Sequence, residues 1–239
     1  MKIKILANPK KQWAKDLARE LRAFLSPAHQ TVKRGAEATI CIGGDGTILY
    51  ANYKGRIDGA ILGIGGDKSY ICQLHRDDWK GKIMGLLSSD KRDLVMSLEC
   101  EFGGKKLVAL NDVVIHATHY RVAEMSVSVE TDAGKHETHF EGDGMIISTA
   151  LGSAAYAYSA GGKRIGPSER ELNLVPICPY KRAFSPQLLD DRSGVSITVG
   201  SDCAFITDGV FVRRLRKGEK LSAHKGPDII FFEGVGRSY

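Results

Sequence analysis

The chain opens on an alternation, Met1-Lys2-Ile3-Lys4-Ile5-Leu6, that predicts a strand over Ile3–Ala7 closed by Asn8-Pro9. From Gln12 to Leu25 the apolar residues Trp13, Leu17, Leu21, Phe24 and Leu25 recur mainly at steps of three and four, the stripe of an amphipathic helix. Ala38–Ile42 is a short apolar run that stops at Gly43-Gly44, Thr47–Tyr53 has helical character, Gly59–Ile64 reads as a third buried strand, and Asp77–Leu87 again has helical spacing. Strands alternating with helices predict a parallel, doubly wound sheet of Rossmann-like type. After about Leu94 the texture changes. Leu94–Phe102, Lys106–Leu110, Val113–Ala117, Ala123–Thr131, His136–Phe140 and Met145–Thr149 are short, often alternating runs between turn residues, and Val195–Val199, Cys203–Thr207 and Val210–Leu215 continue the pattern. They predict a β-rich, largely antiparallel domain. The expected organisation is an α/β domain over residues 1–96, a β-rich domain over 97–225, and a final segment, 226–239, whose strand Asp228–Glu233 is a candidate to rejoin the first.

Composition adds limits. With 43% apolar and 26% charged residues in 239, the chain has enough apolar surface for a core, which argues against disorder. The apolar runs fall far short of the ~18 residues of a membrane helix, so no membrane partner is expected. The net charge of +6 is not gathered into a tail of the kind that binds nucleic acid. Its densest patch, Arg213, Arg214, Arg216 and Lys217, fits a solvated strand end or a polyanionic small molecule. Five scattered cysteines without a Cys-x-x-Cys pair predict reduced thiols and a cytoplasmic protein.

Three segments carry chemistry. In Ile40-Cys41-Ile42-Gly43-Gly44-Asp45-Gly46-Thr47 a buried strand runs into three glycines around one acid and then a helix. Missing Cβ atoms let backbone N–H groups close on phosphate oxygens, and the helix N-terminus adds partial positive charge. Asp45 would repel a phosphate. It suits a base that takes a proton from a hydroxyl, a partner for Mg²⁺, or a simple helix cap. The second segment, Gly142-Asp143-Gly144 through Ser148 to Gly161-Gly162, leads from an acid between glycines into small residues that open a predicted helix, where Ser153, Tyr156 and Ser159 could offer hydroxyls. Close helix packing with Tyr156 and Tyr158 in the core is the structural alternative. The third, Asn111-Asp112 before an apolar strand, reads as a turn, or as an amide and a carboxylate that recognise an adenine edge and ribose hydroxyls.

Taken together and in this order, the segments resemble the NAD kinase family, which carries Gly-Gly-Asp-Gly-Thr, an Asn-Glu or Asn-Asp pair before a strand, and a Gly-Asp-Gly-led segment ending Ser-Ala-Gly-Gly. Pro176-Ile177-Cys178-Pro179 and Asp208-Gly209 extend the match. The resemblance implies an α/β domain followed by a β-sandwich-like domain with the site in the cleft between them. It implies a phosphotransferase with an alcohol acceptor, which uses ATP or polyphosphate and a divalent metal (Mg²⁺) to phosphorylate the adenosine 2′-hydroxyl of NAD. It implies Asp45 as catalytic base and Gly43, Gly44, Gly46 and Thr47 at the donor phosphates. Asn111 and Asp112 would hold the adenosine and Asp143 the nicotinamide end, across a subunit contact in some members. Leu151, Ala154, Ala155, Tyr156 and Ser159 would line the dinucleotide pocket of a homo-oligomer, dimer or tetramer.

The chain also departs from the family pattern. Leu151 and Ala154 stand where hydroxyl or small polar residues are usual, Gly65-Gly66-Asp67 and Tyr70-Ile71 replace the Asn-Thr-Gly and Gly-Phe elements, Glu141 replaces a basic residue, and Val210 a polar one. Lost hydroxyls of this kind cost about 1–3 kcal/mol each. Two other readings therefore accompany the first: a kinase of the same fold for another hydroxyl acceptor, a different nucleotide or a lipid head group, and a dinucleotide-binding protein without turnover. His116, His119, His136, His139 and His224 are expected in solvated turns rather than around a metal, and Lys181-Arg182 in an exposed loop.

Overall fold

A computed structural model of the chain describes residues 1–119 and 121–236. Two compact units emerge: Met1–Val95 with the chain from Ile229 onward, and Met96–Asp228.

The first unit runs β1 (Lys2–Ala7), α1 (Gln12–Leu25), β2 (Gln30–Thr31), β3 (Ala38–Ile42), α2 (Asp45–Tyr53), β4 (Ala60–Gly65), β5 (Leu74–His75), α3 (Trp79–Ser88) and β6 (Arg92–Val95). Its sheet has the order β2-β1-β3-β4, then a returning strand Ile229–Phe232, then β6, with β5 also on β4. All pairs are parallel except the returning strand on β6. Because β3 and β4 are buried on both faces, they read as continuous apolar runs rather than alternations. On one face Ile40, Ile42, Leu62 and Ile64 pack against Leu17, Leu21 and Leu25 of α1 and Trp79, Ile83 and Leu87 of α3. On the other, α2 comes so close at Gly63 that a methyl there would lie 2.8 Å from Ile48 Cδ1 and 2.9 Å from Cys72 Cα. The glycine brings the N-terminus of α2 to the carboxyl end of β3, where open α/β sheets bind ligands.

The second unit contains β7 (Leu98–Phe102), β8 (Lys105–Ala109), β9 (Asp112–Ala117), β10 (Ala123–Thr131), β11 (Gly134–Gly142), β12 (Gly144–Ser148), α4 (Tyr156–Ser159), β13 (Glu171–Ile177), β14 (Gln187–Asp190), β15 (Gly194–Val199), β16 (Cys203–Thr207), β17 (Val210–Leu215) and β18 (Lys220–Lys225). They form two six-stranded sheets, β11-β10-β15-β18-β7-β8 and β14-β13-β12-β9-β16-β17. Their inner faces share one core, in which Met125, Val127, Ile197 and Leu221 meet Val113, Ile115, Ile147, Leu174 and Phe205. This is a β-sandwich.

Several local expectations fail for identifiable reasons. The run Leu94–Phe102 is two strands in two sheets, divided at Met96-Ser97, where the buried Ser97 hydroxyl donates to Pro227 O at 2.5 Å. Strand β13 was masked by Pro176, which lies beyond Leu174, where the pairing with β14 ends. The helix expected after Gly152 shrinks to a 3₁₀ turn, Gly152–Ala154, and the single turn of α4. Ser153 causes this by folding its hydroxyl onto Ala150 O and accepting from Ile165 N, a bond that competes with helix. His116, His136, His139 and His224 stand on strands, not in turns. Lys181-Arg182 are exposed as expected, in a short 3₁₀ turn with left-handed φ of 51° and 56°.

Candidate functional site

In the first unit the chain turns from β3 into α2 through Gly43 and Gly44, with φ of 141° and 90°. A methyl on Gly43 would stand 2.5 Å from both Asn8 Cβ and Thr47 Oγ1, so glycine is required there. Their N–H groups both donate to Ile64 O, at 3.0 and 3.3 Å, which corrects the expectation that Gly43 and Gly44 offer free donors. The N–H groups left for an anion are those of the first turn of α2, at Asp45 and Gly46. Lys11 adds a cation: its Nζ donates to Gly43 O at 2.7 Å. Asn8 Nδ2 reaches Thr47 Oγ1 at 3.2 Å. Asp45 is turned away from this anion end. Its Oδ2 accepts from Tyr70 N at 2.7 Å and its Oδ1 from Ile71 N at 3.0 Å, which fixes a half-buried carboxylate in one orientation.

The second unit holds a different cluster. Asp208-Gly209 is a two-residue hairpin turn between β16 and β17, with φ of 48° and 74°. Such a turn usually faces water. Here Asp208 is buried, and its carboxylate accepts from the N–H groups of Leu110 (2.9 Å), Asn111 (2.7 Å) and Asp112 (3.2 Å). Thr149 takes the other side, donating to Leu110 O at 2.6 Å. The backbone of residues 110–112 is thus satisfied. Asn111 Oδ1 is buried without a donor, and the Asp112 carboxyl group beside it in the chain is 6% exposed. Burial, then the Asp208 charge, pushes Asp112 up to about 7. Burial raises Asp208 to about 6 against the pull of its three amides. The Tyr156 phenol is held above its ordinary value by burial and then by the charges of Cys178, Asp112 and Asp143.

A family model described as the ATP-NAD kinase C-terminal domain matches residues 110–230, half of the chain. The chain belongs to the NAD kinase family. An NAD kinase of Chlorobium limicola is 27% identical over 261 residues, which cover 96% of this chain and 90% of that one. The fold is that of an NAD kinase from Archaeoglobus fulgidus solved with ATP (TM-score 0.82, 18% identity, 98% of this chain and 94% of the other). It is also that of yeast NADH kinase solved with NADH (TM-score 0.83, 18% identity, 100% and 85%).

As a member of the NAD kinase family, the chain is a phosphotransferase with an alcohol acceptor. Its sequence-predicted residues fall into distinct groups. Asp45, Gly46 and Thr47 gather at the start of α2, and Asn111, Asp112, Asp143 and Tyr156 all belong to the second unit. Ala155 and Ser159 are exposed and Ala154 half-buried, so all three can meet a ligand. Leu151 cannot: it is 1% exposed, and its place in the pocket lining is corrected to a place in the packing. Ser153 likewise has its hydroxyl engaged within the fold. Tyr156 and Tyr158, at 42% and 58% exposure, are not core residues. Sequence reasoning missed the Tyr70 and Ile71 amides, because a backbone donor leaves no trace in residue type. It also missed Lys11, Thr149 and the holding role of Asp208. The inward Asp208 had one signal, an Asp-Gly turn between apolar strands.

Among the described residues one group has metal-like spacing, Glu99, Glu101 and His224. Lys106 Nζ already lies between its carboxylates, 2.6 and 2.7 Å away. No described helix is long and apolar enough to cross a membrane.

Proposed function

We propose that this chain phosphorylates the adenosine 2′-hydroxyl of NAD with ATP, giving NADP and ADP. The observation that carries the reading is a buried acceptor without a donor, Asn111 Oδ1, next to the buried carboxyl group of Asp112. Unpaired buried acceptors cost about 1–3 kcal/mol each, a debt that the amino group of an adenine and the hydroxyls of a ribose would settle. Tyr156, Ala154, Ala155 and Ser159 flank the dinucleotide and Asp143 meets its nicotinamide end.

The donor phosphates lie at the N-terminus of α2, on the N–H groups of Asp45 and Gly46, with Thr47 and Lys11 beside them. Asp45, held by two amides, takes the proton of the 2′-hydroxyl as its oxygen attacks the terminal phosphorus and the bond to the ADP oxygen breaks. Phosphoryl transfer of this kind needs mainly positioning and charge neutralisation. The described residues form no metal cage in either cluster, and Asp45 already accepts two amides. A Mg²⁺ ion fits here as a companion of the donor phosphates, the usual habit of that ion, where it supplies charge neutralisation. A cytoplasmic homo-oligomer completes the reading, in line with five cysteines without a disulfide. Light scattering on the purified chain checks the assembly.

The deciding assay follows NADP formation from NAD and Mg²⁺ with ATP and with polyphosphate side by side. ATP should support turnover. Failure with every donor, while NAD still raises the melting temperature, would replace the enzyme with a dinucleotide-binding protein. Stabilisation by another hydroxyl compound and not by NAD would change the acceptor.

A further inference from the structure

Two stretches of the second unit carry residues of the proposed acceptor site: residues 110–112, and the turn Gly152–Ala154 that leads into Tyr156. One side chain ties them together. Thr149 directly follows β12 and has no exposed surface. Its hydroxyl donates to Leu110 O at 2.6 Å, with Asn111 O at 3.3 Å, and accepts from Gly152 N at 3.0 Å. The Thr149 backbone repeats the link, since its N–H donates to Asn111 O at 2.9 Å and its C=O accepts from Ser153 N at 2.9 Å. The approach is so close that a methyl on Gly152 would stand 2.1 Å from Asn111 O. Asp208 takes the N–H groups of residues 110–112, and Thr149 takes carbonyls of the same segment.

We infer that Thr149 is a positioning residue of the acceptor site, its hydroxyl setting the distance between Asn111-Asp112 on one side and residues 155–159 on the other. This rests on the proposed seating of the acceptor against those residues. A hydroxyl can donate and accept at once, so a single oxygen joins a carbonyl of one stretch to an amide of the other. Buried and engaged on both counts, it does not touch substrate. Valine has the shape of threonine without the hydroxyl. Thr149→Val would therefore take a donor from Leu110 O and the acceptor from Gly152 N–H in one step, while nearly keeping the packed volume.

Two measurements test the inference. By NMR-resolved hydrogen exchange the Gly152 amide should exchange about tenfold faster in Thr149→Val than in wild type, the worth of one buried hydrogen bond. In Thr149→Ser, which keeps the hydroxyl, its protection should stay near that of wild type. In steady-state kinetics Thr149→Val should raise KM for NAD by a similar factor of about ten, with KM for ATP and kcat unchanged. Thr149→Ser should restore KM for NAD. A Gly152 amide equally protected in wild type and Thr149→Val overturns the inference. So does an unchanged KM for NAD, or an equal rise in KM for ATP, which would mark a general loosening of the fold. A Thr149→Ser variant as impaired as Thr149→Val also overturns it, because the methyl and not the hydroxyl would then matter. Were the chain not to phosphorylate NAD at all, the kinase reading would fall, and the Gly152 exchange rates would still decide whether the hydroxyl joins the two stretches.

Discussion

Gly46 has no reason within the protein to be glycine. It is exposed, its φ is not left-handed, and a methyl there would meet nothing within 4 Å. A glycine in the first turn of a helix costs up to about 1 kcal/mol relative to alanine, so its value lies in letting a ligand approach the backbone. Gly46→Ala should therefore leave the melting temperature equal or higher while raising KM for ATP, and a KM unchanged from wild type would remove Gly46 from the donor site. Asp45→Asn keeps the shape but not the basicity, and its amide nitrogen cannot accept one of the two N–H bonds that the carboxylate takes. It should lower kcat by about 10²–10⁴, read from NADP formation at saturating substrates. Asp112 gives a pH signature. Its carboxyl ordinarily titrates at 3.8 and in the fold at about 7. The folded chain thus retains a proton that the unfolded chain loses, and this contribution to stability, complete below pH 3.8, is lost as pH rises toward 7. Asp208, at about 6, adds in the same direction. Urea midpoints measured across that window should fall less steeply in Asp112→Asn than in wild type.

At the scale of elements, the turn between β16 and β17 and the segment 110–112 act as one piece. Asp208 holds all three amides of that segment, and Gly152 lets the 3₁₀ turn press on it from behind, since a methyl there would stand 2.1 Å from Asn111 O. Asp208→Ala would leave three N–H groups without their acceptor, at a cost of about 1–3 kcal/mol for each that stays buried. It should raise KM for NAD more than it changes kcat, because what it loosens is the acceptor grip. Chemical denaturation and initial rates on the same preparation separate the two effects. The sequence exposed the elements unevenly. Strands β1, β3 and β4 and helix α1 were legible because their apolar runs and stripes follow from burial. Strands β13, β14 and β18 were not, because an internal proline or polar edge residues interrupt the alternation, and partner strands rather than propensity hold them.

At the scale of the whole molecule, two separate cores and a strand from Ile229 that returns to the first sheet define the architecture. Folding of the first unit therefore needs the C-terminal residues. Truncation before Ile229 should abolish its cooperative unfolding transition, as calorimetry would show, because β6 and β4 would lose the strand that joins them. The sequence by itself determined the order of the chemistry: an acid in a glycine turn, an Asn-Asp pair, an acid between glycines, each before or after a strand. Residue identity is local, and these motifs are contiguous. Only the tertiary structure decided which groups are free to act. It closed Gly43 and Gly44 onto Ile64, buried Leu151, turned Asp208 inward, and aimed the amides of Tyr70 and Ile71 at Asp45. Hydrogen-bond saturation and burial depend on partners far away along the chain, and no local pattern of residue types records them.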